Sequence, residues 1–249
     1  MVGTHPDVED PALYTVSDTS ATTRRRLLDE ANRARARGRT RRAIAIYRHY
    51  HESDPSDVDI TWRLGEVLAM EGENFEAWRL FLSAGRTLRR LKCHTRCLAV
   101  FREATRVLPY EFDAWRITAE IEAALGRHEE AQLTLLEGRR QFRTRFDRAQ
   151  AIALLRLARH IEPWDPEIVI DLASQYARSD QVHRAIRLLD GLALHSRGES
   201  LRRVRFLQWQ MSRSAAHLRQ WLRLYFEELG LRLPGSADPE SGLAPRLRG

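Results

Sequence analysis

The amino-acid sequence predicts an all-α fold, a right-handed α-solenoid of about 11 to 12 helices without a β-sheet. Three prolines recur with a period of 54 residues, at Pro55, Pro109 and Pro163. Each follows a small residue by twelve positions, and the surrounding segments are alike: AIAIY from Ala43, CLAVF from Cys97 and AIALL from Ala151. Apolar residues recur at helical spacing between residues 23 and 230, and no segment alternates like a half-buried strand. A fixed period of this size indicates stacked helical units.

The chain begins with an acidic segment, residues 1–22, which lacks helical periodicity and which we expect to be mostly disordered. Its polar end, residues 17–20, suits the cap of a first helix. Residues 23–230 form the predicted helical repeat domain, with helices at 23–37, 40–53, 58–71, 74–91, 94–108, 112–125, 128–145, 147–162, 166–179, 182–197, 200–213 and 215–229. Residues 231–249 are rich in proline and glycine and are predicted to form a flexible tail.

A second set of small residues recurs with the same 54-residue period. Gly65, Ala119 and Ala173 are each followed twelve residues later by alanine, with a turn residue (Gly72, Gly126, Asp180) between them. The segment 64–84 resembles the tetratricopeptide (TPR) family in the spacing of Leu64, Gly65, Leu68, Gly72, Ala77, Phe81 and Ala84. The resemblance implies units of helix, turn and helix, with small residues where the two backbones approach. Thr118 and Glu122 replace apolar residues of that pattern in the next copy.

The 54-residue period is longer than the repeat of the family, which is about 34 residues. Two overlapping signatures that share one helix account for this length, which predicts three helices per unit. Arg89, Arg143 and Arg197 stand where the family places a terminating proline. The middle helix of each unit is therefore expected to run long, and residues 215–229 are expected to cap the last unit.

The charge and composition exclude several classes of protein. The formal net charge is +7, although residues 1–22 hold four carboxylates and no lysine or arginine, so the body of the chain is strongly basic. Lys92 is the only lysine among 41 basic residues. No run of about 18 apolar residues suggests a membrane span, and the N-terminus does not resemble a signal peptide. Two cysteines make no disulfide framework, so we expect a cytoplasmic protein.

No catalytic constellation is present, since the sequence lacks a glycine-rich phosphate loop, an HExxH pair and a nucleophile elbow. The sequence therefore predicts neither an enzyme nor a cofactor. Cys93, His94 and Cys97 are the only cluster with metal-ligand character. Cys97, however, occupies the position of Ala43 and Ala151, where the repeat requires a small buried residue, so no metal site is predicted.

Arginine recurs with the same period. Arg35, Arg89, Arg143 and Arg197 form one series, and Arg48, Arg102 and Arg156 form another. Stacked units would place each series along one line of the solenoid as a basic stripe. The alternative is a solvated surface copied by duplication, with Arg48 paired to Glu52 on its own helix. The candidate partner-binding residues are Asn32, Arg35, Trp62, Arg86, Arg89, Arg143 and Arg197.

These observations favour a non-enzymatic adaptor that binds a partner protein in its groove, through an acidic or amphipathic segment. The bacterial proteins that the chain resembles often act in signalling or assembly. RNA or other nucleic-acid binding is the alternative, although aromatic residues are not interleaved regularly with the arginines. Docking on an anionic membrane surface is a weaker third. The oligomeric state is left open.

Overall fold

The computed structural model describes the backbone of residues 11–228 and the side chains of residues 22–226. Over this range it contains twelve α-helices and no strand, which confirms the all-α prediction. The helices are α1 (Pro11–Ala36), α2 (Thr40–Ser53), α3 (Val58–Met70), α4 (Asn74–Arg90), α5 (His94–Val107), α6 (Phe112–Ala124), α7 (His128–Gln141), α8 (Arg148–Ile161), α9 (Pro166–Ala177), α10 (Val182–His195), α11 (Gly198–Ser212) and α12 (Ala215–Glu228).

Two kinds of turn fix where the helices end. Asp54, Leu108 and Glu162 precede the three repeated prolines, and each has the extended or near-extended backbone that a following proline favours. Gly72 and Gly126 have positive φ angles, as does Asp180 at the equivalent position. Glycine adopts this conformation without steric cost, which explains the tight turns into α4 and α7. The 54-residue period in the sequence is therefore a period of turn chemistry.

The first helix is longer than the sequence predicts. It begins at Pro11, whereas the periodicity places its start near residue 23. Proline is well tolerated at the first position of a helix, and no proline or glycine interrupts residues 12–36. Residues 1–10 of the acidic segment and the predicted tail, 231–249, lie outside the described residues. The three-part division of the chain stays a prediction.

The expectation of a long middle helix holds for α4 alone. α4 continues through Arg89 to Arg90, but α7 ends at Gln141 and α10 ends at His195. After α7, the Thr144 hydroxyl and the Asp147 carboxylate close a short turn at 2.6 Å. After α10, Ser196 has an extended backbone, and its hydroxyl donates a hydrogen bond to the Leu192 carbonyl at 2.8 Å. Absence of proline is thus insufficient to prolong a helix where side chains stabilise a turn.

Small residues lie where consecutive helices approach each other, as the resemblance implies. A Cβ atom added at Gly65 of α3 would lie 3.3 Å from the carbonyl oxygen of Ala77 in α4. Cys97 of α5 points its Sγ at the carbonyl oxygen of Gly85 in α4, 3.6 Å away. In both pairs the two residues are twelve positions apart, so this spacing marks the close contact of neighbouring helices.

The helices form two compact units, which divide between Thr134 and Leu135. The core of the first unit is built around three buried aromatic side chains, Tyr47, Phe81 and Phe101, with leucines and alanines between them. The core of the second unit is aliphatic and includes Val169, Leu189, Leu192 and Val204. Burial of this apolar surface is the main favourable contribution to folding in each unit.

The helices pack as stacked pairs and not as triplets. In the first unit α3 packs along α2 and α4 and also contacts α5, and in the second unit α9 packs along α8 and α10 and also contacts α11. Contacts between helices two apart thus join odd-numbered helices in each unit, as in stacked helix pairs. One period of the sequence pattern contains three helices. Equivalent sequence positions therefore lie on an odd-numbered helix in one copy and on an even-numbered helix in the next. The predicted three-helix unit is therefore not the unit of packing.

Asp57 links the start of α3 to α1 and makes the stability of the first unit sensitive to acid. Its side chain accepts hydrogen bonds from the backbone N–H groups of Asp59 and Ile60 and from Nε of Arg24 at 2.6 Å. Burial would raise the pKa of the Asp57 carboxyl, but these hydrogen bonds outweigh it and lower the pKa. The carboxylate therefore stabilises the fold at neutral pH. This contribution is lost as the pH falls below about 4 and then through the lowered pKa of Asp57, because the carboxyl becomes protonated.

We expect Asp57→Asn to lower the free energy of unfolding by about 1 kcal/mol at pH 7, because asparagine still caps the helix but loses the ion pair. The difference from the wild-type chain should shrink between pH 7 and about pH 3, because the carboxylate becomes protonated as the pH falls below about 4. Urea unfolding at both pH values measures it. Asp54→Asn in the same loop is the matched control, and an equal effect there would contradict the assignment.

Candidate functional site

Two of the predicted partner-binding residues, Asn32 and Arg35, face α3 from α1. The Asn32 Oδ1 atom accepts hydrogen bonds from the Tyr47 hydroxyl at 3.0 Å and from Arg63 Nη1 at 3.2 Å. Arg35 Nη1 lies 2.5 Å from Glu66 Oε1. Burial raises the pKa of Tyr47 despite the nearby Arg63, so its hydroxyl stays protonated and donates to Asn32. Both residues are therefore engaged in holding α1, α2 and α3 together.

Trp62 also belongs to the packing of the first unit. Its ring packs against the core cluster, and its indole N–H is buried without a hydrogen-bond acceptor among the described residues. A tryptophan placed for recognition usually presents this group to a partner. The structure thus gives Trp62 a packing role.

Carboxylates pair with several of the arginines on the odd-numbered helices of the first unit. Besides the Arg35–Glu66 and Arg24–Asp57 pairs, Arg96 Nη2 of α5 lies 2.6 Å from Asp59 of α3, and Arg106 of α5 pairs with Glu103 and, at 3.5 Å, with Glu66. Apart from the Arg106–Glu103 pair within α5, these ion pairs link α1 to α3 and α3 to α5. The surface they cover has mixed charge, so a continuous basic groove is not formed there.

The second arginine series, Arg48, Arg102 and Arg156, has unequal surroundings. Arg48 lies 3.1 Å from Glu76 of α4, and the predicted alternative, Glu52 on its own helix, is not its partner. Arg102 binds Glu122 at 2.7 Å and Glu130 at 2.5 Å. Arg156 is exposed and makes no ion pair within the described part of the chain. The common spacing therefore does not give these arginines a common role.

The first series is also split by the packing of helices in pairs. Arg35 lies on α1 and Arg89 on α4, an odd-numbered and an even-numbered helix. In the second unit, Arg143 lies in the loop after α7 and donates from Nε to the Arg140 carbonyl at 2.7 Å, whereas Arg197 precedes α11 with extended backbone. The expectation of equivalent positions along one line is corrected, because one repeat of the sequence pattern moves between different parts of the helix pair.

Unlike the candidates of α1 and α3, Arg86 and Arg89 are exposed and form no ion pair among the described residues. They lie on the outer side of α4 with two further unpaired arginines; we call the set of Arg79, Arg86, Arg89 and Arg90 the α4 basic surface. Arg86, Arg89 and Arg90 border a shallow depression that Ser83 and Thr87 complete. From Arg79 to Arg90 the surface extends about 16 Å along the helix.

Large apolar side chains flank the α4 basic surface at both ends. Phe75 precedes Arg79 by one helical turn and is 78% exposed, and Leu91 follows Arg90 and is 63% exposed. Aromatic residues and arginine are both enriched in protein interfaces. The arrangement combines charge for orientation with apolar area for affinity.

A signal for the α4 basic surface exists in the sequence, although a search for fixed spacing misses it. Between Glu76 and Glu103 the chain contains no acidic residue. The basic residues in this interval are Arg79, Arg86, Arg89, Arg90, Lys92, Arg96 and Arg102. Only Arg96 and Arg102 obtain carboxylate partners from other helices among the described residues. An interval without acids predicts unpaired arginines better than their periodicity does.

The cysteine cluster has no metal-site geometry. No group of three or more potential ligands forms within residues 22–226. Burial raises the pKa of the Cys97 thiol, against a smaller opposing influence of Arg89, and this makes the thiol less reactive. Cys97 thus fills the position of a small core residue. Separately, none of the described helices is long and apolar enough to cross a bilayer.

The helix pairs, their turns and the small residues at their contacts define the chain as an all-α helical-repeat protein of TPR-like construction. No protein-family model and no curated protein matches it. Among solved structures the chain is similar to MamA, with 14% identity over 66% of this chain and 86% of that chain, at a TM-score of 0.31.

It is also similar to Pseudomonas aeruginosa pilF, with 16% identity over 87% and 94% of the two chains and a TM-score of 0.29. A further similar structure is YrrB, described as a TPR protein with an unusual peptide-binding site, with 15% identity over 79% and 90% and a TM-score of 0.29. Likeness at this level assigns no partner and no activity.

Proposed function

We propose that the protein is a non-enzymatic adaptor whose α4 basic surface binds an acidic segment of a partner protein. The observation that carries the proposal is the exposure of Arg79, Arg86, Arg89 and Arg90 without a carboxylate partner among the described residues. Guanidinium groups bind carboxylates through two parallel hydrogen bonds. A partner segment with several Asp or Glu residues would satisfy them, and its apolar side chains would cover Phe75 and Leu91.

Charge balance favours the α4 basic surface over the surface of the odd-numbered helices. An acidic segment approaching Arg35, Arg96 or Arg106 would compete with carboxylates already bound to them. On α4 it meets no such competitor. Arg86 and Arg89 therefore remain proposed contacts, and the exposed Arg143 and Arg197 of the second unit are kept as secondary ones. We place this adaptor in the cytoplasm, which suits its two free cysteines.

Nucleic-acid binding is the second candidate, and the interval without acids between Glu76 and Glu103 is what favours it. Phosphates of RNA would bind the same guanidinium groups. Recognition of single strands usually adds several aromatic side chains on which bases stack. The α4 basic surface offers Phe75 alone, so an acidic protein segment fits it better.

Affinity capture of partners with the full chain, with and without nuclease and at two salt concentrations, separates the two candidates. We expect a defined protein to persist after nuclease treatment. Its affinity should fall at least tenfold, about 1.4 kcal/mol, in the triple variant Arg86→Gln, Arg89→Gln, Arg90→Gln. Loss of every captured partner with nuclease, with a steep dependence on salt, would favour RNA instead.

A matched control removes the same charge from exposed arginines of the second unit that form no ion pair among the described residues. The control triple variant is Arg187→Gln, Arg203→Gln, Arg219→Gln. We expect it to bind the captured protein within twofold of the wild-type chain. Both variants should keep the helical circular-dichroism spectrum, since all six side chains are exposed. If both variants lost affinity for the captured protein equally, the loss would be explained by the change in net charge, and the assignment of binding to α4 would be wrong.

A further inference from the structure

A second basic site lies at the turn between α1 and α2, away from the α4 basic surface. A surface pocket there is lined by four arginines with one carboxylate and one small residue. We call it the arginine pocket; its lining residues are Glu30, Arg33, Ala34, Arg37, Arg39 and Arg42. Such a concentration of guanidinium groups around one depression creates a strong local positive potential.

The single carboxylate of the pocket does not balance its arginines. Glu30 Oε1 pairs with Arg42 Nη2 at 2.9 Å, and Arg33 donates from Nε to the Asp29 carbonyl at 3.1 Å. The exposed guanidinium groups of Arg37 and Arg39 make no ion pair or hydrogen bond among the described residues. The pocket therefore contains two guanidinium groups that are free to bind a ligand, those of Arg37 and Arg39, and two that already make contacts, those of Arg33 and Arg42.

The backbone holds these groups together. Gly38 has a φ angle of +68°, which lets the chain reverse between the two helices. After the reversal, the Arg39 N–H donates to the Ala34 carbonyl at 2.9 Å, and the Gly38 N–H donates to the Arg35 carbonyl at 2.9 Å. Arg37 and Arg39 are thereby fixed on either side of the turn and next to Arg33. The backbone positions of these arginines are set before any ligand arrives, so binding orders only their side chains.

We propose that the arginine pocket binds a single phosphate group. A phosphate dianion carries more charge than a carboxylate and offers three oxygens to planar guanidinium forks, which match it bidentately. A pocket of six lining residues suits one such group and not an extended polymer. The group comes either from free phosphate or from a phosphorylated side chain of a partner. This inference does not depend on partner binding at α4.

NMR titration of the full chain with inorganic phosphate tests the proposal, with sodium chloride of equal ionic strength as the reference. We expect saturable shifts of the backbone amides of residues 37–42 and of the arginine Nε–Hε signals, and no comparable shifts with chloride. The double variant Arg37→Gln, Arg39→Gln should raise the dissociation constant for phosphate at least tenfold. Unsaturable shifts, or equal shifts with chloride, would overturn the proposal.

The matched control is Arg25→Gln, Arg26→Gln, which removes the same charge from exposed positions of α1 that do not line the pocket. We expect phosphate binding within twofold of the wild-type chain, and a loss as large as in the pocket variant would also overturn the proposal. A short peptide with phosphoserine separates the sources: tighter binding than inorganic phosphate indicates a modified partner, and equal binding indicates the free ion. The α4 triple variant should bind phosphate normally, so the two proposals fail independently.

Discussion

Replacing Arg102 by alanine is expected to lower the free energy of unfolding by about 3 kcal/mol, the low end for breaking a buried ion pair. The Glu122 side chain is only 1% exposed, and its carboxylate accepts from Arg102 Nε and Nη2 at 2.9 and 2.7 Å and from the Thr134 hydroxyl at 2.7 Å. Without Arg102 the buried carboxylate keeps one neutral donor. The loss lies at the low end because Arg102 itself is 47% exposed.

The repeat supplies its own controls at the equivalent positions, Arg48 and Arg156. Arg48→Ala should cost less than about 1 kcal/mol, because Glu73 and Glu76 are about half exposed. Arg156→Ala should change stability hardly at all. Urea unfolding followed by circular dichroism compares the three variants. Adding Glu122→Gln to Arg102→Ala should restore part of the loss, since an amide is cheaper to bury than a carboxylate; equal losses for Arg48 and Arg102 would contradict this account.

Helix ends were predictable because local chemistry determines them. The prolines at 55, 109 and 163 and the turn residues at 72, 126 and 180 act on their immediate neighbours, whatever packs around them. The predicted helix from 94 to 108, for example, is observed as His94–Val107. One miss is the start of α1, which begins at Pro11. The others fall after α7 and α10, where side-chain hydrogen bonds of Thr144 and Ser196 stabilise the end of the helix.

Packing was less predictable, because it depends on which helices meet. A repeated turn every three helices looks in the sequence like a three-helix unit, yet α3 contacts α5 and α9 contacts α11, in each case the helix two positions further along the chain. Arginines spaced by the sequence period therefore lie at non-equivalent positions in the helix pairs. Its carboxylate partners also come from other helices, as with Arg35 and Glu66 or Arg102 and Glu122.

Glu122 illustrates how a local exception points to a tertiary contact. The TPR-like pattern places an apolar residue there, and the structure buries the glutamate completely. Burying an ionised carboxylate is expensive unless a partner compensates it, so the exception itself implies a nearby cation. Which of the many arginines supplies it could not be read from the sequence, because Arg102 lies on the preceding helix, α5.

Gly85→Ala is expected to destabilise the first unit by about 2 kcal/mol, because overpacking outweighs the better helix propensity of alanine. A Cβ atom at this position would lie 2.4 Å from Cε2 and 2.5 Å from Cζ of Phe101. The Phe101 ring is buried and meets Trp78 edge-on, with centroids 6.2 Å apart, so it has little room to move. Overpacking of about 3 kcal/mol then exceeds a gain in helix propensity of about 1 kcal/mol.

Gly65→Ala is the milder comparison, because its Cβ atom would lie 3.3 Å from the Ala77 carbonyl oxygen, an overlap that a shift of a few tenths of an ångström relieves. We expect this variant to be neutral or slightly more stable than the wild-type chain in the same urea titration. In a double-mutant cycle, Phe101→Leu should cost less in the Gly85→Ala background than alone, because the smaller side chain relieves the overlap. If Gly85→Ala stabilised the chain as Gly65→Ala does, the close approach of α4 and α5 at Gly85 and Cys97 would have to be looser than 3.6 Å between Sγ and the carbonyl oxygen. The twelve-residue spacing of small residues would then not mark a close helix contact at this position.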